Sequence, residues 1–228
     1  MYDRNIAGKI LDFDVSGSLY YSALVMQDDQ TDSFWAIMSA EAIGGELQGK
    51  TLPELPISEK TTWGEWRARH PNTLVLSVEG VTHLDTDPYA NYFTSDRIFG
   101  EVANPDPRLG LKEPIYVFRH GEDDYAVAHQ AIIHGWQGKA EDMRVFVYRS
   151  STESIYRSTR AWILNVDGKS FKLKKNKGKW ISKEYGSFDP DTGRFEKGDV
   201  QLEPLMGMDT FWYIWSQYHP KGKLLGRR

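Results

Sequence analysis

Apolar and polar side chains alternate through residues 9–15 (KILDFDV) and then meet Ser16, Gly17 and Ser18, which predicts a strand followed by a turn. A second strand is predicted over residues 19–26. Residues 28–31 (DDQT) carry turn chemistry, and residues 33–38 (SFWAIM) resume an extended, aromatic-rich pattern. Gly44, Gly45 and Gly49 then punctuate a further short strand or loop. Pro53 and Pro56 lack amide donors, so residues 52–56 are read as an extended approach rather than a central strand or helix interior. Residues 74–78 (LVLSV) are read as a closing strand.

Between the last two segments the period changes from two to that of a helix. Trp63, Trp66 and His70 stand at i, i+3 and i+7, and the same three residue types recur at the same spacing as Trp212, Trp215 and His219. Each copy thus presents two indoles and an imidazole along one face, expected to pack inward. Thr62 and Glu65 have the spacing of a capping box, and Pro71 and Pro220 disfavour helical dihedrals at the histidine before them. Two short helices with marked ends are predicted.

Other landmarks also return in the same order. Residues 162–166 (WILNV) before Asp167-Gly168 parallel residues 11–15 before Ser16-Gly17, and residues 171–173 parallel the second strand. Asp189 and Thr192 repeat the spacing of Asp28 and Thr31, and residues 202–205 (LEPL) echo residues 52–55 (LPEL). This order implies a duplicated β-rich unit, and two copies are too few for an open solenoid. The expected architecture is therefore a single α+β, mostly β domain over residues 1–228. It comprises a first repeat at 1–78, a central β insert at 79–158 and a second repeat at 159–228, each repeat ending in its tryptophan helix. Within the insert, residues 82–108 are dense in turn formers and read as a long ordered loop pinned by Tyr89, Tyr92 and Phe93. Residues 115–118, 125–128 and 145–148 read as strands, residues 121–124 as a hairpin tip, and residues 130–134 as a helical turn.

Composition narrows the function classes. Twenty-eight basic residues against 32 acidic ones give a formal charge of -4, which argues against a general nucleic-acid binder. Cysteine is absent, which removes disulfides, thiolate metal sites and cysteine nucleophiles from this chain. No apolar run has the length of a membrane span, and the first fifteen residues lack the apolar core of a signal peptide. A cytoplasmic location is the expectation from these residues alone.

Candidate chemistry is sparse. His70 and His219 are the weak metal candidates, since pseudo-symmetry would bring equivalent imidazoles together, but a histidine at a helix C-terminus also caps carbonyls and complements the dipole. His129 and His134 are five apart and do not share one helical face. Asp189, Asp191 and Gly193 lack the remaining acidic ligands of a calcium loop and read as an Asx-rich turn. Seven lysines in residues 169–183 alternate along what reads as a hairpin turning at Asn176-Lys177-Gly178, where a solvated, aggregation-resistant edge is the expectation. Phosphate-loop and nucleophile-elbow patterns are absent.

With these landmarks in place, the chain resembles the bacterial and archaeal family of unknown function called DUF3179. The resemblance is carried by Tyr2-Asp3-Arg4, by residues 13–22 (FDVSGSLYYS) with Val25-Met26, by residues 31–35 (TDSFW), by Glu41-Ala42-Ile43 and by the helix at residues 63–71. Asp87-Pro88-Tyr89, residues 106–109 with Lys112, and the second tryptophan helix also fit. Relatives tend to carry Thr-Gly where this chain has Ser39-Ala40, at a tight turn. Many relatives also carry a Cys-Pro-Leu-Cys-like segment upstream of the Tyr-Asp-Arg position, often behind an export leader. Here Met1 directly precedes Tyr2, so no redox or metal role is carried over, and an exported or periplasmic location is expected if a leader lies upstream.

The leading functional expectation is a non-catalytic ligand-binding or interaction domain, its partner a small molecule or protein, with no cofactor and no nucleic acid. Asp87, Tyr89, Asp106 and Arg108 are candidate contact residues because long ordered loops on rigid scaffolds carry function disproportionately, and Trp35 is a candidate as one of the aromatic residues that could line a groove for a planar ligand. The alternatives are a metal-assisted hydrolase or transferase using histidines and loop aspartates, and a structural remnant of a longer exported protein.

Overall fold

The computed structural model describes residues 1–6, 8–55, 60–75, 89–150 and 159–226. In chain order its strands are β1 (Asn5–Ile6), β2 (Lys9–Ile10), β3 (Phe13–Tyr20), β4 (Ala23–Asp28), β5 (Phe34–Ala36) and β6 (Glu41–Gly44), followed by helices α1 (Trp63–Arg69) and α2 (Ala90–Thr94). Next come β7 (Pro114–His120), β8 (Asp123–Ala128), α3 (His129–Ile132), β9 (Trp136–Ala140) and β10 (Met143–Tyr148). The chain continues with β11 (Arg160–Ile163), β12 (Asn165–Val166), β13 (Lys169–Ser170), β14 (Lys174–Asn176), β15 (Lys179–Ser182) and β16 (Gly186–Phe188). It ends with β17 (Met208–Phe211), α4 (Trp212–Tyr218) and β18 (Lys223–Leu225). The fold is mostly β within the α+β class, as the periodicities predict.

The first half forms a four-stranded sheet ordered β3-β4-β5-β6, and the second half a three-stranded sheet ordered β14-β15-β16. The central strands do not form a self-contained insert. Antiparallel β7 and β8 are flanked by β17 and by β18, the latter parallel to β8, while β10 pairs with β9 on one side and β11 on the other. A core of Ile115, Val117, Ala126, Trp212 and Trp215 forms where α4 packs against β7 and β8.

Backbone hydrogen bonds repeat between the halves. Asp3 N donates to Pro53 O, and Ile163 N to Glu203 O; Leu55 N donates to Met1 O, and Leu205 N to Ala161 O. Leu11 N to Arg4 O matches Phe171 N to Leu164 O, and Asp28 N to Ser33 O matches Asp189 N to Arg194 O. The hairpin pairing Asn5 with Ile10 and Ile6 with Lys9 has its counterpart in Asn165 with Ser170 and Val166 with Lys169. These pairings support the reading of two related halves, with a changed register: Asn165-Val166 correspond to Asn5-Ile6 rather than to Asp14-Val15.

Several expectations are corrected. Ser16, Gly17 and Ser18 do not end the first strand; they form a bulge inside β3, where the register slips between Val15 and Leu19 and Gly17 supplies φ +77°. The hairpin turns instead at Tyr21 and Ser22, both left-handed, a conformation that glycine-seeking sequence rules overlook. Residues 74 and 75 are not in a strand, and residues 76–78 lie outside the described residues. The two tryptophan helices also differ in surroundings. In α4, Trp212 and Trp215 are buried, but α1 buries no residue and Trp63 is 48% exposed. Local sequence writes the same helix twice; the neighbour that covers it exists for α4 alone among the described residues.

Candidate functional site

Both helices end alike. The N–H of His70 donates to Trp66 O and that of His219 to Trp215 O, with nearly the same cap dihedrals, and each imidazole leans on the preceding indole. Their side chains then part company. His70 is exposed, whereas the ring of His219 is 13% exposed and its Nδ1 lies 2.8 Å from Asp124 Oδ2.

Asp124 belongs to β8, directly across the two-residue Gly121-Glu122 turn from Arg119 of β7, its register partner. Arg119 Nε donates to Asp124 Oδ1 at 2.8 Å. One carboxylate therefore anchors the Arg119 guanidinium and the His219 imidazole, an oxygen to each. Burial pushes the Asp124 carboxyl up, but the hydrogen bonds and charges of His219 and Arg119 outweigh it and hold it below the usual aspartate value. With Nε engaged, the terminal nitrogens of Arg119 have no hydrogen-bond partner among the described residues, and its side chain is 61% exposed.

These arms stand at a wall shared by two adjoining cavities. The smaller, about 250 Å³, lies between the first-half sheet and β7, with Tyr2, Ser39, Glu54, Met208 and Trp215 around it. The larger, about 550 Å³, continues toward Tyr20, Tyr21, Glu41 and Tyr218. Tyr2 donates its hydroxyl to Ile37 O at 2.8 Å and is pushed up to about 12 by burial, with Glu54 adding to it. Tyr20, Tyr21 and Tyr218 pack their rings within 6 Å of one another, and Tyr218 donates to Tyr20 O. The strained Tyr21-Ser22 turn is thereby held against the end of α4, where the two halves meet.

A second polar cluster is buried under β17. Asp209 Oδ1 contacts His129 Nε2 at 2.7 Å and accepts from Thr159 Oγ1 at 2.6 Å, while Arg149 Nη1 donates to Thr159 Oγ1. His129, Arg149 and Asp209 are almost fully buried there. This network ties α3, β17 and the start of β11 together and has its polar groups directed at one another.

The residues expected to make contact are scattered. Trp35 is wholly buried and donates Nε1 to Asp28 Oδ2 at 2.8 Å; Asp28 also accepts from the backbone and hydroxyl of Thr31. Asp106 and Arg108 pair with each other, Arg108 also donates to Gly222 O, and its guanidinium lies 5.0 Å over Trp212, so together they clamp α4. Tyr89 is exposed at the start of α2, and Asp87 lies outside the described residues. Among the weak metal candidates, His219 joins Asp124 while His70 rests on Trp66. No group of three or more His, Asp or Glu able to hold a metal ion occurs among the described residues. Arg119 and Asp124 went unnoticed in the sequence because residues 121–124 read as a loop tip. Centring the turn on Gly121-Glu122 would have placed the pair opposite each other.

These features define a mostly β fold with a polar, tyrosine-walled cleft between the N-terminal sheet and the C-terminal helix. The chain belongs to the family described as "Protein of unknown function (DUF3179)", whose model matches residues 1–222. No curated protein and no solved structure matches it. Among the described residues no helix is long and apolar enough to cross a membrane.

Proposed function

We propose that the protein is a binding domain for a small organic anion, a carboxylate carried on an aromatic or apolar body, taken up in the cleft beside Arg119 and His219. The observation that carries this reading is the Arg119 guanidinium. Asp124 fixes its Nε, which orients the plane, and Arg119 lines both cavities with a guanidinium whose terminal fork matches a carboxylate. Holding the arginine before a ligand arrives removes part of the ordering cost of binding. Tyr20, Tyr21 and Tyr218 supply flat apolar surface in the same cavity, the combination of a few polar anchors and aromatic lining usual for small-ligand sites. The asymmetry between the two helices adds support, since the counterpart imidazole, His70, is exposed and has no such anchor among the described residues.

The test is a thermal-shift and calorimetric titration with benzoate, 4-hydroxybenzoate, citrate and inorganic phosphate, on the wild type and on Arg119→Ala. At a hundred times the dissociation constant a ligand adds about 2.7 kcal/mol, or roughly 5–10 °C for a chain of this size. The expected result is a saturable shift with at least one carboxylate that Arg119→Ala abolishes. No saturable shift with any of the four, or equal binding by the variant, overturns the reading. A second reading, proton transfer at the same cleft, has one observation in its favour: Asp124 holds His219 through Nδ1, leaving Nε2 for a bound molecule. Conversion of a bound carboxylate, lost in His219→Gln while binding persists, distinguishes it.

A further inference from the structure

The hairpin of β14 and β15, with the residues flanking it, carries a charge pattern that the scaffold does not require. Lys169, Lys172, Lys174, Lys175, Lys177, Lys179 and Lys183 are all exposed, and no carboxylate interrupts the run, which Asp167 and Glu184 bracket. None of the seven forms an ion pair with a described residue. The hairpin is nonetheless firmly seated. Gln137 of β9 exchanges two hydrogen bonds with the backbone of Leu173, and Trp180 is buried with Nε1 donating to His134 O.

Protection of an exposed strand edge explains one or two such lysines, but not seven. The matching stretch of the first half, aligned by the hairpin pairs Asn5–Ile10 and Asn165–Ser170, carries a single lysine, Lys9. Beside it stand Asp12 and Asp14 and an exposed Val15, on an edge strand of the same kind. The fold thus tolerates an uncharged or acidic edge at this place, and the lysines of the second half answer to something outside the chain.

We infer that the β14–β15 hairpin is a docking surface for an anionic lipid bilayer. The hairpin has no arginine for bidentate phosphate recognition, and its tryptophan is buried, so no exposed indole is offered for base stacking. What remains is a set of exposed point charges on a compact hairpin seated by Gln137 and Trp180, suited to the diffuse field of a headgroup layer. Each lysine near such a surface strengthens binding by about five-fold, and salt screens the attraction within about 10 Å.

The full chain is to be sedimented with vesicles of phosphatidylcholine containing about 30% phosphatidylglycerol and with phosphatidylcholine alone, at about 0.05 and 0.3 M salt. The variant replaces Lys174, Lys175, Lys177 and Lys179 by Gln, all exposed, and circular dichroism and melting temperature verify its fold. Binding to the anionic vesicles alone, weakened by salt and reduced at least about 100-fold in the variant, is the expected result. The inference is overturned by absence of binding, by equal binding to neutral vesicles, or by binding that survives the four substitutions. It is also overturned if the same lysines instead bind a DNA or RNA oligonucleotide, or drive self-association without lipid. Because Arg119 takes no part, this outcome is independent of the cleft.

Discussion

Asp124→Asn isolates the contact on which the cleft is built. The substitution keeps the shape of the side chain but removes its charge, and it sets an amide against the guanidinium or the imidazole that the carboxylate holds. The Arg119 pair is largely solvent-facing and contributes under about 1 kcal/mol, as exposed ion pairs do. The His219 contact is better shielded and is worth about 1–2 kcal/mol as a charged hydrogen bond. Their loss together amounts to about 2 kcal/mol, which at roughly 2–4 °C per kcal/mol for a chain of this length lowers the melting temperature by about 4–8 °C. The pH dependence is the sharper signature. Because the Asp124 carboxyl is held below its ordinary value, its contribution is complete above about pH 5 and is lost as pH falls through the lowered native value. Thermal unfolding of both proteins between pH 7 and pH 2.5 should give a gap that is steady down to about pH 5 and closes below about pH 4. A gap under about 0.5 kcal/mol at neutral pH, or one as wide at pH 3 as at pH 7, would refute the reasoning.

Three further outcomes are expected. Trp212→Ala empties a wholly buried site and costs about 3–5 kcal/mol, whereas Trp63→Ala, at the matching but exposed position, costs under about 1 kcal/mol; chemical denaturation of both checks the contrast. Asp28→Ala leaves Trp35 Nε1 and the Thr31 amide without their acceptor inside the first-half core and lowers unfolding free energy by about 3 kcal/mol, measured in urea. Ala40→Gly is expected to change stability by less than about 1 kcal/mol, because relief of the left-handed strain at φ +58° offsets the lost methyl burial and the added chain entropy. A fall of 2 kcal/mol or more in denaturant titration would show that the Ala40 methyl matters more than its backbone.

The order of strands and helices was legible because it is local. Short runs of β-branched and aromatic residues mark β7, β8 and β10, the capping box of Thr62 and Glu65 forms as spaced, and Thr31 and Thr192 each hydrogen-bond the aspartate three residues before. Ser39-Ala40 shows how far such rules reach: the tight turn is made without glycine, since the packing around buried Ala40 holds the strained dihedral in place. The site was less legible. Its arginine and aspartate face each other across the β7–β8 hairpin, but its histidine comes from the end of α4, far along the chain, and each is ordinary in its own neighbourhood. Asp106 and Arg108 read as contact residues on a loop, yet their charges are spent on each other and on α4.

The amino-acid sequence alone determined the β-rich class, the two related halves as a pattern, and the caps that start and stop the tryptophan helices, because periodicity and capping depend on residues within a turn or two. Only the tertiary structure decided which of two nearly identical helices is buried and which of two equivalent histidines meets a carboxylate. Those outcomes depend on what lies across the gap, and the energy of a buried indole or a paired charge is set by neighbours that no local pattern encodes.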